Sequence, residues 1–195
     1  MRLYACYSAN NRSPLDRLIA DVERRYEPAD VLAIDRPLAT HAWMEWEDDE
    51  RTRWGIEAIP PRVHVFDPAI KRGQVVRRYR VPVSDAGARR AWRRGLYYDG
   101  DTYSALGVVL TGALLVAGGD HAGRRAFERL HVASVYCSEI LTLLCREAGA
   151  RTLPLMRPDN VTPARSEAWA AGSGWEPETP AAATIETRAS AAHAA

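Results

Sequence analysis

The 195-residue sequence predicts an α+β fold, with helices packed against an antiparallel sheet. Three observations lead there. Short stretches of alternating apolar and polar residues follow one another closely between 41 and 83, as hairpin-linked strands do. Apolar residues repeat at helical spacing in 14–25 and 138–148. Nearly half of the residues (47%) are apolar, enough for a chain of this length to bury a core.

In chain order, residues 3–7 (LYACY) read as a short buried strand. Asn10 to Pro14 forms a turn that opens a helix, with Ser13 as cap and Pro14 at the first helical position. Leu15, Leu18, Ile19 and Val22 then lie on one face, giving an amphipathic helix over 14–25 that Glu27-Pro28-Ala29-Asp30 breaks. Val31-Leu32-Ala33-Ile34 reads as strand or loop. His41 to Trp46 suits a strand with His41, Trp43 and Glu45 on one face and Ala42, Met44 and Trp46 on the other. After the polar turn Asp48 to Arg51, Trp54 to Ala58 pairs back as a hairpin partner and stops at Pro60-Pro61. Residues 62–66 and 75–83 add two strands. Ser84 caps a polar helix to Arg94 whose arginines (Arg89, Arg90, Arg93, Arg94) form a basic face. Residues 95–102 make a turn-rich loop, and 105–119 an apolar run. A polar segment covers 124–130. Ser138 to Ala148 is a helix with Ile140, Leu141, Leu144 and Ala148 inward, ended by Gly149. The expected organisation is one folded unit over 1–168 and a disordered tail over 169–195, where alanine, threonine, proline and serine dominate and large apolar groups are few.

Composition narrows the function classes. With 26 basic and 25 acidic residues the formal net charge is +1, so no global field draws the chain to nucleic acid or an anionic membrane. The arginine pairs at 77–78, 89–90 and 93–94 read as solvated faces. Three cysteines at 6, 137 and 145 fit neither a zinc pattern nor a disulfide framework, and reduced thiols in a cytoplasmic setting are expected. The N-terminus lacks the long apolar core of a signal peptide. The run at 105–119 is shorter than the roughly 20 residues a membrane helix needs, so no stable membrane span is expected. Asp99-Gly100-Asp101 reads as a turn, because it lacks the further ligands of a calcium loop.

The strongest candidate for chemistry is Tyr136-Cys137-Ser138-Glu139, where a loop enters an apolar helix. A thiol at a helix N-terminus meets the positive end of the dipole, which favours the reactive thiolate. The unpaired N–H groups of the first turn suit a developing oxyanion. The competing reading is a small buried core cysteine, which is how Cys6 and Cys145 are read. A nucleophilic thiol needs a base within hydrogen-bond reach. His41 is the leading candidate, with His64 and His131 as rivals. A third group should orient the imidazole, and Glu57, across the expected hairpin from His41, is the natural choice. Glu45 and Glu139 are its rivals.

The order of these parts carries a resemblance. A helix follows the first strand; Thr40-His41 opens a strand; Gly55-Ile56-Glu57 lies on the next. Tyr97-Tyr98-Asp99 follows, then Tyr136-Cys137-Ser138-Glu139-Ile140 opens a helix, and Pro158-Asp159-Asn160-Val161-Thr162-Pro163 comes late. Over roughly residues 1–168 this resembles the circularly permuted NlpC/P60 papain-like peptidases, in particular the YiiX-like branch and its phage-encoded relatives, in which the histidine precedes the cysteine. Thr40 departs from the small or serine residue usual before that histidine, and the tryptophans Trp43, Trp46 and Trp54 are unusual for the family.

The resemblance implies a papain-like fold. It implies a thiol peptidase or amidase with Cys137 as nucleophile, His41 as base and Glu57 as third residue, needing no cofactor or metal. The implied partner is a small peptide or amide substrate, a peptidoglycan fragment included, and phage relatives add a virion-associated location to the cytoplasmic one. Two alternatives stay open. One is acyl transfer or lipid deacylation by the same dyad, with 105–119 as a lipid-facing wall. The other is a catalytically inactive phage accessory module that binds a partner through its arginine face or tryptophan strand.

Overall fold

The computed structural model describes residues 1–9, 14–27, 29–32, 37–71, 76–105, 107–109, 113, 135–151 and 161–178. Its elements in chain order are β1 (Arg2–Ser8), α1 (Pro14–Tyr26), α2 (Ala29–Leu32), β2 (His41–Glu47), β3 (Arg53–Ile59), β4 (Arg62–Phe66), a 3-10 turn η1 (Pro68–Lys71), β5 (Val76–Arg80), α3 (Asp85–Tyr98), α4 (Cys137–Ala148), α5 (Pro163–Gly172) and β6 (Glu176–Glu178). Among the described residues the six strands form one antiparallel sheet in the order β4-β3-β2-β1-β5-β6. The α+β class expected from the sequence is the one observed.

Alternation along β2 sorts its side chains as the pattern requires. Ala42, Met44 and Trp46 enter the main core with Ile140, Leu141 and Leu144 of α4 and Ala88 and Ala91 of α3. Trp43 lies on the opposite face, in a smaller cluster with Tyr4, Cys6, Phe66 and Val76. The tryptophans therefore divide. Trp46 donates its indole N–H to the Ala88 carbonyl at 3.0 Å and stacks edge-on against Trp92, fixing α3 on the sheet. Trp54 also meets the Trp92 ring. Only Trp43 approaches His41.

Helix ends follow local chemistry. Ser84 caps α3 by accepting from Gly87 N at 3.2 Å. Gly149 ends α4 in the left-handed conformation, φ 82°, which glycine adopts without a side-chain penalty. Gly87 has a separate reason to be glycine. A Cβ there would stand 2.3 Å from the Ala148 carbonyl oxygen, so the α3–α4 crossing depends on its absence.

Three expectations change. Val31 and Leu32, expected in a strand or loop over 31–34, close a short helix that begins at Ala29 inside the expected break, while 33 and 34 lie outside the described residues. The polar helix expected to end at Arg94 runs to Tyr98, taking over half of the expected loop. The folded part does not stop at 168: α5 reaches Gly172, Trp175 is buried edge-on against Trp169, and β6 pairs with β5. Glu178 binds Arg53 at 2.6 Å and approaches Arg78 at 3.9 Å, and Glu176 approaches Arg80 at 3.8 Å, so this segment is tied down by one large ring and by ion pairs that a low apolar average conceals. Residues 179–195, the segment 124–130, His131 and most of the apolar run lie outside the described residues.

Gly87→Ala is expected to destabilise the fold by about 1–3 kcal/mol through overpacking at the crossing. A lowered denaturant midpoint with an unchanged m-value is the measurement that checks this.

Candidate active site

His41 is the first residue of β2 and pairs with Ser8 of β1. On the other side, Glu45 pairs with Gly55 and Met44 with Ile56, which sets Glu57 on the same face as His41 and diagonal to it. Long side chains meet across such a diagonal. The Glu57 carboxylate, 1% exposed, takes His41 Nε2 on Oε2 at 2.6 Å. Trp43 stacks along the imidazole, centroids 5.5 Å apart and planes 25° apart. The ring is thus fixed both in orientation and in position.

Two further groups reach the same carboxylate. Lys71 Nζ donates to Oε1 at 2.9 Å and to Oε2 at 2.8 Å, and His64 Nε2, opposite Glu57 on β4, stands 3.3 Å from Oε1. Lys71 arrives over the faces of Trp43 and Phe66, 5.3 and 5.1 Å from their centroids. Phe66 fits there because its partner on β3 is Gly55, where a Cβ would fall 2.4 Å from the Phe66 ring.

Cys137 opens α4. Its neighbours hold that helix start in place: Glu139 Oε2 accepts from Tyr136 N at 3.3 Å, and Ser138 Oγ donates to the Val161 carbonyl. The Cys137 side chain, in a residue 3% exposed, lies close enough to the His41 ring to act on its protonation. With Nε2 held by Glu57, Nδ1 is the ring nitrogen left for sulfur. Thiol, imidazole and carboxylate, from α4, β2 and β3, therefore stand side by side in that order.

The electrostatics match this geometry. Burial alone would lower the basicity of His41, but hydrogen bonds and charge from Cys137 and Glu57 outweigh it and raise the imidazole from its ordinary 6.5 to about 9. Burial would raise Glu57, yet His41 and then Lys71 hold it down at about 2. Burial and the charges of Cys137 and Asp16 raise the Tyr103 phenol. Glu23 of α1 accepts from Ala164 N at 3.2 Å, and burial pushes its carboxyl well above the usual range, with Glu27 and Cys137 adding to that.

Of the residues singled out by sequence, Cys137, His41 and Glu57 come together. His64 instead contacts Glu57, and His131 lies outside the described residues. Glu45 belongs to a structural group, accepting from the Trp43 indole at 2.8 Å and binding Arg78 at 2.9 Å. Glu139 caps its own helix. Cys6 and Cys145 are buried free thiols, and burial raises the latter to about 12. Asp99 to Asp101 is a turn, with Gly100 at φ 91° and Asp99 Oδ1 accepting from Val65 N. Arg77 pairs with Glu167 and Arg78 with Glu45, so these arginines serve the interior.

Sequence reasoning did not assign Lys71, Tyr103 or Glu23. One signal existed for Lys71: it is the single lysine among 26 basic residues. Among the described residues no group of three His, Cys, Asp or Glu side chains is arranged to hold a metal ion, and no helix is long and apolar enough to cross a membrane. No protein-family model and no curated protein sequence matches this chain.

The pair predicts a pH profile of stability. His41 is raised from 6.5 to about 9, so its contribution is full below 6.5 and is lost as pH rises through 9. Glu57 is lowered from 4.5 to about 2, so its contribution is full above 4.5 and is lost as pH falls through 2. Denaturant unfolding across pH should show their joint contribution largest between 4.5 and 6.5. In Glu57→Gln the acid-side loss should shrink.

Proposed function

We propose that the chain is a cysteine hydrolase of the peptidase or amidase type, cleaving an amide bond in a small peptide such as a cell-wall fragment. The observation that carries this reading is the His41–Glu57 hydrogen bond, 2.6 Å at Nε2, on a ring whose protonation the neighbouring Cys137 side chain influences. A sulfur, an imidazole and an orienting carboxylate in series are the parts that covalent acyl transfer requires. The resemblance to the permuted NlpC/P60 papain-like proteins assigns the same three residues, which supports a papain-like arrangement on this α+β fold.

In the proposed reaction, the Cys137 sulfur, its proton held by His41, attacks the substrate carbonyl carbon. A C–S bond forms, and the carbonyl oxygen takes up the electron pair. The first-turn amides of α4 have no carbonyl partner within the helix and face the developing oxyanion. When the C–N bond breaks, the imidazolium of His41 gives its proton to the departing amine, leaving a thioester. Water, deprotonated by the now neutral His41, attacks the thioester carbonyl; the C–S bond breaks, the carboxylic acid departs, and the sulfur takes back the proton from His41. Glu57 keeps the ring turned toward sulfur throughout and balances the imidazolium charge.

Cys137→Ala is expected to lower kcat/KM on peptide amides by at least roughly 1,000-fold. Its circular dichroism and unfolding midpoint should stay close to wild type. Iodoacetamide at neutral pH should label Cys137 and spare Cys6 and Cys145, with labelling lost in His41→Ala. Turnover that survives Cys137→Ala would remove the reading. Turnover of lipid esters but not amides would move the substrate class to acyl lipids.

A further inference from the structure

Glu57 serves more than one donor. His41 and Lys71 both bind its Oε2, at 2.6 and 2.8 Å, so two positive groups stand within a few ångström of each other across one oxygen. Lys71 also takes Oε1, beside His64. Its side chain is only 12% exposed, held over Trp43 and Phe66. Trp43 is also the ring stacked on His41, so the lysine and the imidazole share both a carboxylate and an aromatic neighbour.

A carboxylate bound to an imidazolium by itself holds the proton firmly, because every bit of its charge falls on that one donor. That suits orientation but opposes release. An ammonium on the same carboxylate divides the charge and adds repulsion of its own toward the ring. We propose that Lys71 is a positioning residue for proton transfer: by holding both oxygens of Glu57 it leaves the carboxylate able to orient His41 without retaining the proton that the leaving group needs. This rests on the hydrolase reading for its purpose, but not for its measurement. Among the described residues, the titratable and charged groups around the pair are Cys137 from α4, Glu57 from β3, His64 from β4 and Lys71 from η1.

Lys71 makes a prediction that a mere prop does not. If the lysine only kept Glu57 in place, removing it would let the carboxylate drift from the ring, and His41 would lose its proton more easily. If the lysine competes for the carboxylate, removing it makes the proton harder to lose. The two roles move the His41 titration in opposite directions.

The test is an NMR titration of the His41 ring in the full chain, comparing wild type with Lys71→Met, Lys71→Arg and Glu57→Gln. The wild-type midpoint is expected near 9. Lys71→Met should raise it by roughly one pH unit, the scale of losing a nearby like charge. Lys71→Arg should restore it, and Glu57→Gln should lower it. Lys71→Gln carries the same expectation as methionine should the latter not fold. A midpoint that is unchanged or lowered in the neutral variants overturns the proposal.

On a peptide amide, the same variants should lower kcat about three- to tenfold with KM unchanged, and arginine should recover it. The titration needs no substrate. An upward shift in a chain that hydrolyses nothing would sustain the role of Lys71 and remove the hydrolase reading. An unchanged midpoint in an active enzyme would do the reverse.

Discussion

A buried carboxylate is costly unless its lone pairs are filled and its charge is met, and the site is organised around one such group. Glu57 lies mid-strand in the sheet, almost entirely removed from water, and three side chains from three directions converge on it. Each convergence fixes something else. His41 cannot swing away without giving up the 2.6 Å bond that meets part of that charge. Lys71 brings η1 down onto the sheet. His64 aligns β4 with β3. Removing His41 or Lys71 takes away part of what meets the buried charge, so the geometry of the imidazole is enforced by electrostatics as well as packing.

The sheet supplies rigidity at the right place. β2 and β3 pair in a register that puts His41 and Glu57 on one face, and any one-residue slip would turn them apart. The other face of the same strands carries the main core, so the register is locked by Met44, Trp46 and Ile56. Core packing and site geometry are thus two consequences of one alternation. Across the core, α4 is held by small residues of α3, and its first residue is the cysteine that meets the ring.

A second set of buried acids, Glu23 and Glu27, lies on and just after α1. Glu27 accepts from the Thr162 hydroxyl at 2.6 Å and binds Arg165, while Glu23 accepts from Ala164 N. These bonds tie α1 to the start of α5, so the segment after α4 is anchored beside the helix start that bears Cys137. The ion pairs of Arg53 and Arg78 with Glu45, Glu47 and Glu178 tie β2, β3, β5 and β6 together on the sheet face that carries Trp43.

Much of this was legible in the chain itself. Alternation in HAWMEW told the two faces of β2 apart, Ser84 and Gly149 marked helix ends, and an apolar period marked α4, because these depend on residues only a few positions apart. The short extension to Glu178 was not legible, since its pairing with β5 and the ion pairs of Glu176 and Glu178 join it to strands about a hundred residues earlier. Sequence offered three histidines and three glutamates for the roles beside Cys137. It could nominate them by residue type and by strand parity, and no more. What separated His41 from His64, and Glu57 from Glu45 and Glu139, was strand order and register, which bring together groups nearly a hundred positions apart. Lys71 illustrates the limit: in one dimension it is one of two adjacent bases, followed by Arg72, and its meaning arises only when the sheet places a buried carboxylate beside it.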